Sequence, residues 1–258
     1  MDRQYWDSKA VNYNDEIFSS IHSDMGGKIR KIIRKYGSRK KTACDFGCGI
    51  GLYLPELSLR FKTVHAFDLS PELIKRAKER MKNTGNITYR PVDLSCRSLR
   101  LPKADFGALT NVLIMENSYV RKAILKNVFK SLNPGALLFA VVPSLESVLY
   151  VNSRLFEWNI RDGIKQDEAV DKGLRSAHAG KGSVSNGLIN IDNITTKHYL
   201  KEELELFFKG AGFKIINMDK IEYSWKTEFE SPPKWMRAPY PWDWMAVCEK
   251  PANGKGSG

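Results

Sequence analysis

Segments with the periodicity of strands and of helices alternate along most of this chain of 258 residues. Alternation of this kind predicts an α/β protein with a parallel-based sheet and right-handed crossovers. We expect strands in an apolar run that ends at Asp45 and at 63–70, 87–93, 105–115, 136–143, 213–225 and 243–250. We expect helices at 22–36, 51–60, 117–131 and 201–212, and one with Ser70 as N-cap and Pro71 as its first residue.

The regular pattern stops after residue 143, and residues 144–198 show little periodicity. A stretch of that length is too long for an ordinary connection, and long irregular insertions usually serve function. We therefore interpret 144–198 as a cap over the substrate, inserted after the fifth strand of a single domain that covers 1–250. Residues 251–258 are expected to form a flexible tail.

The composition excludes several classes of protein. An apolar fraction of 42% is that of a globular protein, and no apolar run approaches the ~20 residues that span a bilayer. The start of the chain is polar and acidic, unlike a signal peptide, so we expect a cytoplasmic protein without a membrane partner. The formal net charge of +12 favours anionic partners, either nucleic acid or an acidic small molecule.

The segment 45–51, Asp-Phe-Gly-Cys-Gly-Ile-Gly, lies where an α/β sheet binds ligands, directly after the first expected strand. Glycines let the backbone approach a ligand there, and free N–H groups meet negative charge. The dinucleotide fingerprint G-x-G-x-x-G would need glycine at Leu52, and no Gly-Lys-Ser/Thr follows to form a phosphate loop. The spacing therefore disfavours NAD and nucleoside triphosphates.

This loop resembles the acidic-x-Gly-x-Gly-x-Gly motif of class I S-adenosylmethionine-dependent methyltransferases. Further segments resemble motifs of the same family in the same order along the chain, namely 67–73, 92–94, 110–113, 132–136, and 199–204 followed by 211–213. The matches extend over roughly 40–250. One glycine motif would be weak evidence, whereas an ordered series is strong evidence.

The resemblance implies a Rossmann-like, doubly wound sheet of seven strands, mostly parallel with an antiparallel last strand. It implies an enzyme that transfers a methyl group from S-adenosylmethionine and releases S-adenosylhomocysteine. We expect the acceptor to be an O or N atom of a small molecule or of a peptide side chain. The alternatives are an RNA or protein methyltransferase and, less favoured, a non-catalytic protein that binds S-adenosylmethionine.

The resemblance also assigns cofactor contacts. It places Asp68 on the ribose hydroxyls and Asp93 on the adenine amino group, whereas Asp45 orients the loop and the methionine amino group. Each hydrogen bond to a charged group contributes roughly 1.5–3 kcal/mol, so loss of the Asp68 carboxylate should weaken binding about ten- to a hundredfold. The remaining expected cofactor contacts are Gly47, Cys48, Gly49, Gly51, Leu69, Leu94 and Asn111.

Candidates for contact with the acceptor are dispersed along the chain. Residues 1–20 resemble the segment that covers the cofactor in small-molecule methyltransferases, so they are a candidate lid, although their aromatic rings would equally suit packing at the sheet edge. Glu116 and Tyr13 are the candidates for a catalytic base. The candidate substrate contacts are Tyr5, Trp6, His178, Tyr223 and Trp242.

Two features of the sequence admit a second function. Cys44 and Cys48 are spaced like the start of the radical S-adenosylmethionine cluster motif, but the third cysteine would be at Gly51, so we expect reduced thiols and no metal. The basic run at 28–41 reads either as a phosphate-contacting face for RNA or as the solvated side of a helix. The sequence leaves the acceptor, the base and the oligomeric state unassigned.

Overall fold

The structure is a computed structural model that describes residues 1–13, 17–169, 184–191 and 194–252. The strands are β1 Thr42–Phe46, β2 Thr63–Asp68, β3 Ile87–Pro91, β4 Ala104–Thr110, β5 Leu132–Pro143, β6 Leu188–Ile191, β7 Ile194–Lys197, β8 Lys214–Glu222 and β9 Trp242–Glu249. The helices are α1 Arg3–Lys9, α2 Ser20–Ser23, α3 Lys28–Tyr36, α4 Leu54–Arg60, α5 Pro71–Arg80, α6 Ser118–Ser131, α7 Leu145–Arg161 and α8 Lys201–Gly210. Within these ranges, no helix is both long enough and apolar enough to cross a bilayer.

Seven strands form one sheet in the order β3-β2-β1-β4-β5-β9-β8. β9 is antiparallel to both of its neighbours, β5 and β8, whereas the other pairs in this sheet are parallel. β6 and β7 form a separate antiparallel hairpin. The predicted seven-stranded, mostly parallel sheet with an antiparallel last strand is therefore confirmed.

Helices cover both faces of the sheet and bury a separate apolar cluster on each. On one face, the cluster includes Leu125 of α6 and Phe208 of α8. On the other, it includes Ile33 of α3, Leu57 of α4 and Ile74 of α5. This three-layer arrangement leaves the carboxyl ends of the parallel strands uncovered by the helix layers, which is the edge where open α/β sheets bind ligands.

The start of α5 follows from local chemistry, as the sequence predicted. Ser70 is the N-cap, and its Oγ accepts a hydrogen bond from the Leu73 backbone N–H at 3.1 Å. Pro71 occupies the first turn, where no intrahelical N–H donor is needed. The cap fixes the turn between β2 and α5, which carries Asp68.

Three sequence predictions of secondary structure are corrected. The helix expected at 22–36 is split into α2 and α3, because Gly27 adopts a left-handed φ of 60° between them. β4 ends at Thr110 instead of 115, because Asn111 has φ 54° and leaves the extended conformation. The strand expected at 136–143 begins earlier, at Leu132, and the Gly135 N–H donates to the Lys250 carbonyl across the sheet.

The prediction that 144–198 is irregular is wrong for its first part. Residues 145–161 form α7, with Ser144 as N-cap accepting from the Ser147 N–H at 3.0 Å. Of the α7 residues only Leu145 and Ser147 are fully buried, so the helix has no clean apolar stripe to reveal it. The sequence signal for the start of this helix was Ser144 as a candidate N-cap, with the acidic Glu146 in the first turn.

Candidate active site

The glycine loop after β1 is held in a backbone conformation that favours glycine. Gly47, Gly49 and Gly51 have φ values of 80°, 53° and 82°. The backbone N–H groups of Gly47 and Cys48 both donate to the Phe67 carbonyl, at 2.7 and 2.8 Å, and so tie the loop to the end of β2. At Gly47 an added Cβ would lie 2.2 Å from a methyl group of Val112, so the loop also depends on close packing against the end of β4.

Asp68 at the end of β2 fastens the loop from the other side. Its Oδ2 accepts from the Gly49 N–H at 2.8 Å, and its Oδ1 accepts from the Ser70 N–H at 2.9 Å. Burial raises the pKa of Asp68 to about 6, although these backbone hydrogen bonds favour the ionised form. One carboxylate thus fixes both the glycine loop and the start of α5.

Asp45 precedes the glycines and is 2% exposed. Burial, and then the neighbouring charge of Asp68, raise its pKa to about 8. Its Oδ2 has no hydrogen-bond partner in the described part of the chain. A buried, unpaired carboxylate oxygen beside a glycine loop matches a ligand that carries an ammonium group, which S-adenosylmethionine does.

A cavity of about 1170 Å³ opens at the carboxyl ends of the strands. Its walls come from the N-terminal segment, the loops after β1, β2, β3 and β4, the starts of α7 and β9, and the residue after β8. Twelve of the sequence-predicted site residues line it, namely Tyr5, Trp6, Tyr13, Gly47, Cys48, Asp68, Leu69, Asp93, Leu94, Asn111, Tyr223 and Trp242. The structure therefore gathers residues from most of the chain around one space.

The other five candidates are not among the residues that line it, and four of them belong to the described part of the chain. Asp45 at the end of β1 and the loop residues Gly49 and Gly51 do not line the cavity. Glu116 is exposed and borders a separate, shallower cavity of about 720 Å³. His178 lies outside the described residues.

The loop after β4 carries a strained residue at the cavity wall. Asn111 has φ 54°, its Nδ2 donates to Ser20 Oγ at 3.3 Å, and its buried Oδ1 has no partner among the described residues. Positive φ in a residue other than glycine often marks a functional position. On the adjoining wall, Asp93 Oδ1 accepts from the backbone N–H and the hydroxyl of Ser95, at 2.8 and 2.7 Å.

Sequence reasoning missed several residues that line the cavity. Tyr53 at the start of α4 is buried, and its hydroxyl has no partner in the described ranges. Asp243, the second residue of β9, accepts a hydrogen bond from the hydroxyl of Tyr223. A single acid inside the apolar run 242–248 was the signal that could have identified Asp243.

The loop cysteines are thiols buried in the protein. Cys44 and Cys48 are free and buried, and burial raises the pKa of both thiols. In the ranges that the structure describes, no group of three or more His, Cys, Asp or Glu side chains is placed to hold a metal ion. Both observations favour packing and cavity-lining roles for the two side chains.

Several side chains of the basic run are used inside the protein. Lys28 Nζ lies 2.7 Å from Asp219 Oδ1, and both Arg30 and Arg34 contact Glu56. Farther along, the Arg39 guanidinium donates to two backbone carbonyls of the loop after α4 and of α4 itself. These contacts support the structural interpretation of the run over a free phosphate-binding face.

Comparison with known proteins agrees with this geometry. Residues 43–135 match a family model described as a methyltransferase domain. Magnesium-protoporphyrin O-methyltransferase of Rhodobacter capsulatus is 30% identical over 175 residues, which are 64% of this chain and 72% of that protein. Carboxy-S-adenosyl-L-methionine synthase of Shewanella pealeana is 27% identical over 148 residues, 53% of this chain and 59% of that protein, which is less than two thirds of its length.

A solved structure shows the same fold. The 1,6-didemethyltoxoflavin-N1-methyltransferase of Burkholderia thailandensis, with bound S-adenosylhomocysteine, superposes with a TM-score of 0.62 at 12% identity, covering 96% of this chain and 87% of that one. This chain belongs to the class I S-adenosylmethionine-dependent methyltransferases. It is an enzyme, and its cofactor is S-adenosylmethionine.

The raised pKa of the buried Asp45 carboxyl gives a testable pH dependence. In an unfolded chain its carboxyl would have a pKa of about 3.9, whereas the folded value is about 8, so the folded state holds the extra proton between these limits. Stability is therefore lost as pH rises toward 8, by about 2 kcal/mol between pH 6 and pH 8. We expect Asp45→Asn to flatten the fall in unfolding midpoint of the ligand-free protein over that range.

The measurement is thermal unfolding at several pH values. Asp68 and Asp243, whose pKa values are also raised, will retain part of the slope. Glu79→Gln, at an exposed position of α5, is the matched control and should leave the slope unchanged. If the unfolding midpoint of Asp45→Asn falls with pH as steeply as that of the wild type, Asp45 is ionised in the folded state.

Proposed function

We propose that this enzyme transfers the methyl group to an O or N atom of a small molecule or of a peptide side chain. The observation that carries the proposal is the large cavity beside the glycine loop. Cavities for small ligands commonly have volumes of roughly 300–1,000 Å³, so about 1170 Å³ suits a cofactor together with a compact acceptor. A cavity with walls from so many elements suits an intact RNA or protein surface less well.

The residues around the glycine loop fit the cofactor. We assign Asp68 to the ribose hydroxyls, Asp93 to the adenine amino group and Asp45 to the ammonium group, in keeping with the sequence expectation. When bound, the cofactor supplies a methyl group on a positively charged sulfur. The protein's own contribution is to hold the acceptor in line with that methyl group, and such alignment supplies about 7–11 kcal/mol of a barrier.

Residues 1–20 are proposed to act as a lid. Asp7 and Ser70 Oγ share a hydrogen bond that joins α1 to the start of α5. At the far side of the cavity, the ring of Phe18 packs edge-on against Tyr223 with centroids 4.7 Å apart. The segment therefore contacts both halves of the cavity wall, and its closure would exclude water from the reacting atoms.

Residues 144–198 are proposed to act as a cap within one domain that covers 1–250. Ser147, Val148 and Val151 of α7 line the cavity, as do Ile194 and Thr196 of β7. The described parts of the insertion thus lie against the space assigned to the acceptor, which is the position that a specificity element needs. The expected tail at 251–258 lies mostly outside the described residues.

The experiment is an assay of S-adenosylhomocysteine release with metabolite, peptide and RNA pools. We expect release with the metabolite or peptide pool that ribonuclease does not affect. Release confined to the RNA pool and abolished by ribonuclease would instead favour the RNA alternative. Cofactor binding without release from any pool would favour the non-catalytic alternative.

Tyr13 and Glu116 can be tested as candidate bases. Burial, and then the charge of Asp68, raise the pKa of Tyr13, and its hydroxyl would lie 2.5 Å from a Cβ built on Gly49. A protonated hydroxyl beside the loop is a hydrogen-bond donor, so we expect Tyr13→Phe to weaken cofactor binding several-fold without altering the pH profile. Glu116→Gln, at an exposed position, should retain full turnover.

The measurements are calorimetric affinity for S-adenosylhomocysteine and the pH dependence of turnover. Tyr36→Phe, outside the cavity, is the matched control for loss of a phenolic hydroxyl. If the turnover of Tyr13→Phe no longer rises with pH as that of the wild type does, Tyr13 acts as the catalytic base.

A further inference from the structure

A tyrosine–carboxylate pair lies at the end of the cavity formed by β8 and β9. Tyr223 Oη donates to Asp243 Oδ2 at 2.9 Å, and both residues line the cavity. The antiparallel register pairs Ile221 with Asp243, which brings the two residues to the same end of the sheet. Among the described residues, nothing donates a hydrogen bond to Asp243 Oδ1, so this oxygen is available to a ligand.

Tyr53 connects this pair with the cofactor end of the cavity. It is 7% exposed, lines the cavity, and has an unpartnered hydroxyl in the described structure. Burial raises the pKa of its hydroxyl, the nearby hydroxyls of Thr110 and Ser20 lower it, and the charges of Asp45 and Asp243 raise it slightly. Tyr53 therefore lies on the cavity wall within electrostatic reach of both Asp45 and Asp243.

The charge of the cavity contrasts with that of the protein. The chain has a formal net charge of +12, yet the described lining contains two cationic side chains, Arg3 and Lys9, both on the N-terminal segment. The lining carboxylates are Asp2, Asp68, Asp93, Glu228 and Asp243. His198 also lines the cavity, but burial lowers its pKa to about 4 and keeps it neutral.

Three of these carboxylates are accounted for by the cofactor or the lid, because Asp68 and Asp93 are assigned to the cofactor and Asp2 caps α1 by accepting from the Tyr5 N–H. Glu228 and Asp243 are left at the β8–β9 end. Beside them, Trp242 is 8% exposed, and its Nε1–H has no acceptor among the described residues. Two carboxylates at one end of the cavity, left over after the cofactor and the lid are accounted for, favour a ligand that carries a positive charge there.

Resting on the proposed function, we infer that this end of the cavity binds an acceptor with an amino group, and that Asp243, oriented by Tyr223, receives the proton of its cationic nitrogen. The ammonium form, R–NH₃⁺, gives one proton to the carboxylate and becomes R–NH₂. The nitrogen lone pair then forms the C–N bond as the methyl–sulfur bond breaks, and that bond's electron pair stays on sulfur. The product R–NH₂⁺–CH₃ carries the positive charge that sulfur has lost.

The pair also sets the pH range of this step. Burial raises the pKa of Asp243 to about 7, the hydrogen bond from Tyr223 lowers it, and the charge of Glu228 raises it. The charged or titratable groups near this end also include Tyr53, Glu228 and Lys220, whose Nζ lies 3.5 Å from the centroid of the Trp242 ring. A base must be ionised, so activity should rise with pH through about 7.

Two variants separate this role from a structural one. Asp243→Asn should lower turnover at least tenfold at pH 7 and remove the rising limb, with affinity for S-adenosylhomocysteine within threefold of wild type. Tyr223→Phe removes a hydrogen bond that favours the ionised carboxylate of Asp243, so the rise of turnover with pH should move to higher pH. Glu249→Gln, at the other end of β9, is the matched control and should change neither.

The acceptor class is tested by separating a metabolite extract on ion exchangers at pH 7 into cationic, neutral and anionic fractions. We expect S-adenosylhomocysteine release with the cationic fraction, and loss of that release in Asp243→Asn. Release confined to the neutral or anionic fraction, or a wild-type rate and pH limb in Asp243→Asn, would overturn the inference and leave the proposed function intact. Release from the RNA pool alone, abolished by ribonuclease, would overturn the proposed function and with it the inference that rests on it.

Discussion

Replacing Asp68 with alanine is expected to weaken S-adenosylhomocysteine binding by on the order of a hundredfold. The sequence alone accounts for the loss of hydrogen bonds to the ribose. The structure adds that Asp68 accepts from the N–H groups of Gly49 and Ser70, so the substitution also releases the glycine loop and the start of α5. Both effects act on the same ligand, which places the expected loss at the upper end of the earlier range.

Calorimetry with S-adenosylhomocysteine measures the effect. Asp68→Asn separates its two parts, because the amide retains one oxygen acceptor for a backbone N–H but lacks the charge. We expect Asn to recover part of the affinity that Ala loses. Glu79→Ala, on the exposed side of α5, controls for loss of an acidic side chain. Wild-type affinity in Asp68→Ala would remove Asp68 from the cofactor site.

Gly47→Ala is expected to have an effect of similar size through a different cause. A residue with a Cβ pays roughly 1–2 kcal/mol at the positive φ of 80°. The new Cβ would also lie 2.2 Å from Val112 Cγ2, so either the glycine loop or the end of β4 must move. Both segments line the cavity, and we expect affinity for S-adenosylhomocysteine to fall on the order of a hundredfold.

Two further variants distinguish strain from collision. Gly135 has φ 76° and open space around its Cβ position, so Gly135→Ala should lower the unfolding midpoint and leave cofactor affinity unchanged. Adding Val112→Ala to Gly47→Ala removes the colliding methyl groups and should restore part of the affinity. A Gly47→Ala protein that binds as wild type would show that the loop accommodates a side chain.

Local sequence patterns predicted the parts of this molecule that depend on neighbouring residues. The spacing of Gly47, Gly49 and Gly51 after an apolar run predicted the loop, and the Ser70–Pro71 pair predicted the start of α5. Both features depend on backbone dihedral angles or on a helix cap within a few residues, so the local sequence is enough to predict them. The order of the motifs then predicted the sheet.

The parts that depend on distant residues escaped prediction. Tyr223 and Asp243 are brought together by the antiparallel register of β8 and β9, which no local pattern specifies. Tyr53 contributes to the site because the turn that precedes α4 lies at the cavity wall. Glu116 was chosen for its position after β4, but the left-handed Asn111 ends that strand early, and Glu116 is exposed outside the main cavity.

The place of β9 in the sheet has a consequence for how the chain folds. β9 follows β8 along the chain but lies between β5 and β8, so β8 has no other neighbour in the sheet. During synthesis, β8 can join the sheet only after β9 has been made. β9 in turn must pair with β5, which precedes it by about a hundred residues. Tyr223 and Asp243 come into contact only at this late step. Folding intermediates that lack β9 would therefore contain the glycine loop but not the Tyr223–Asp243 pair proposed to bind the amino group of the acceptor.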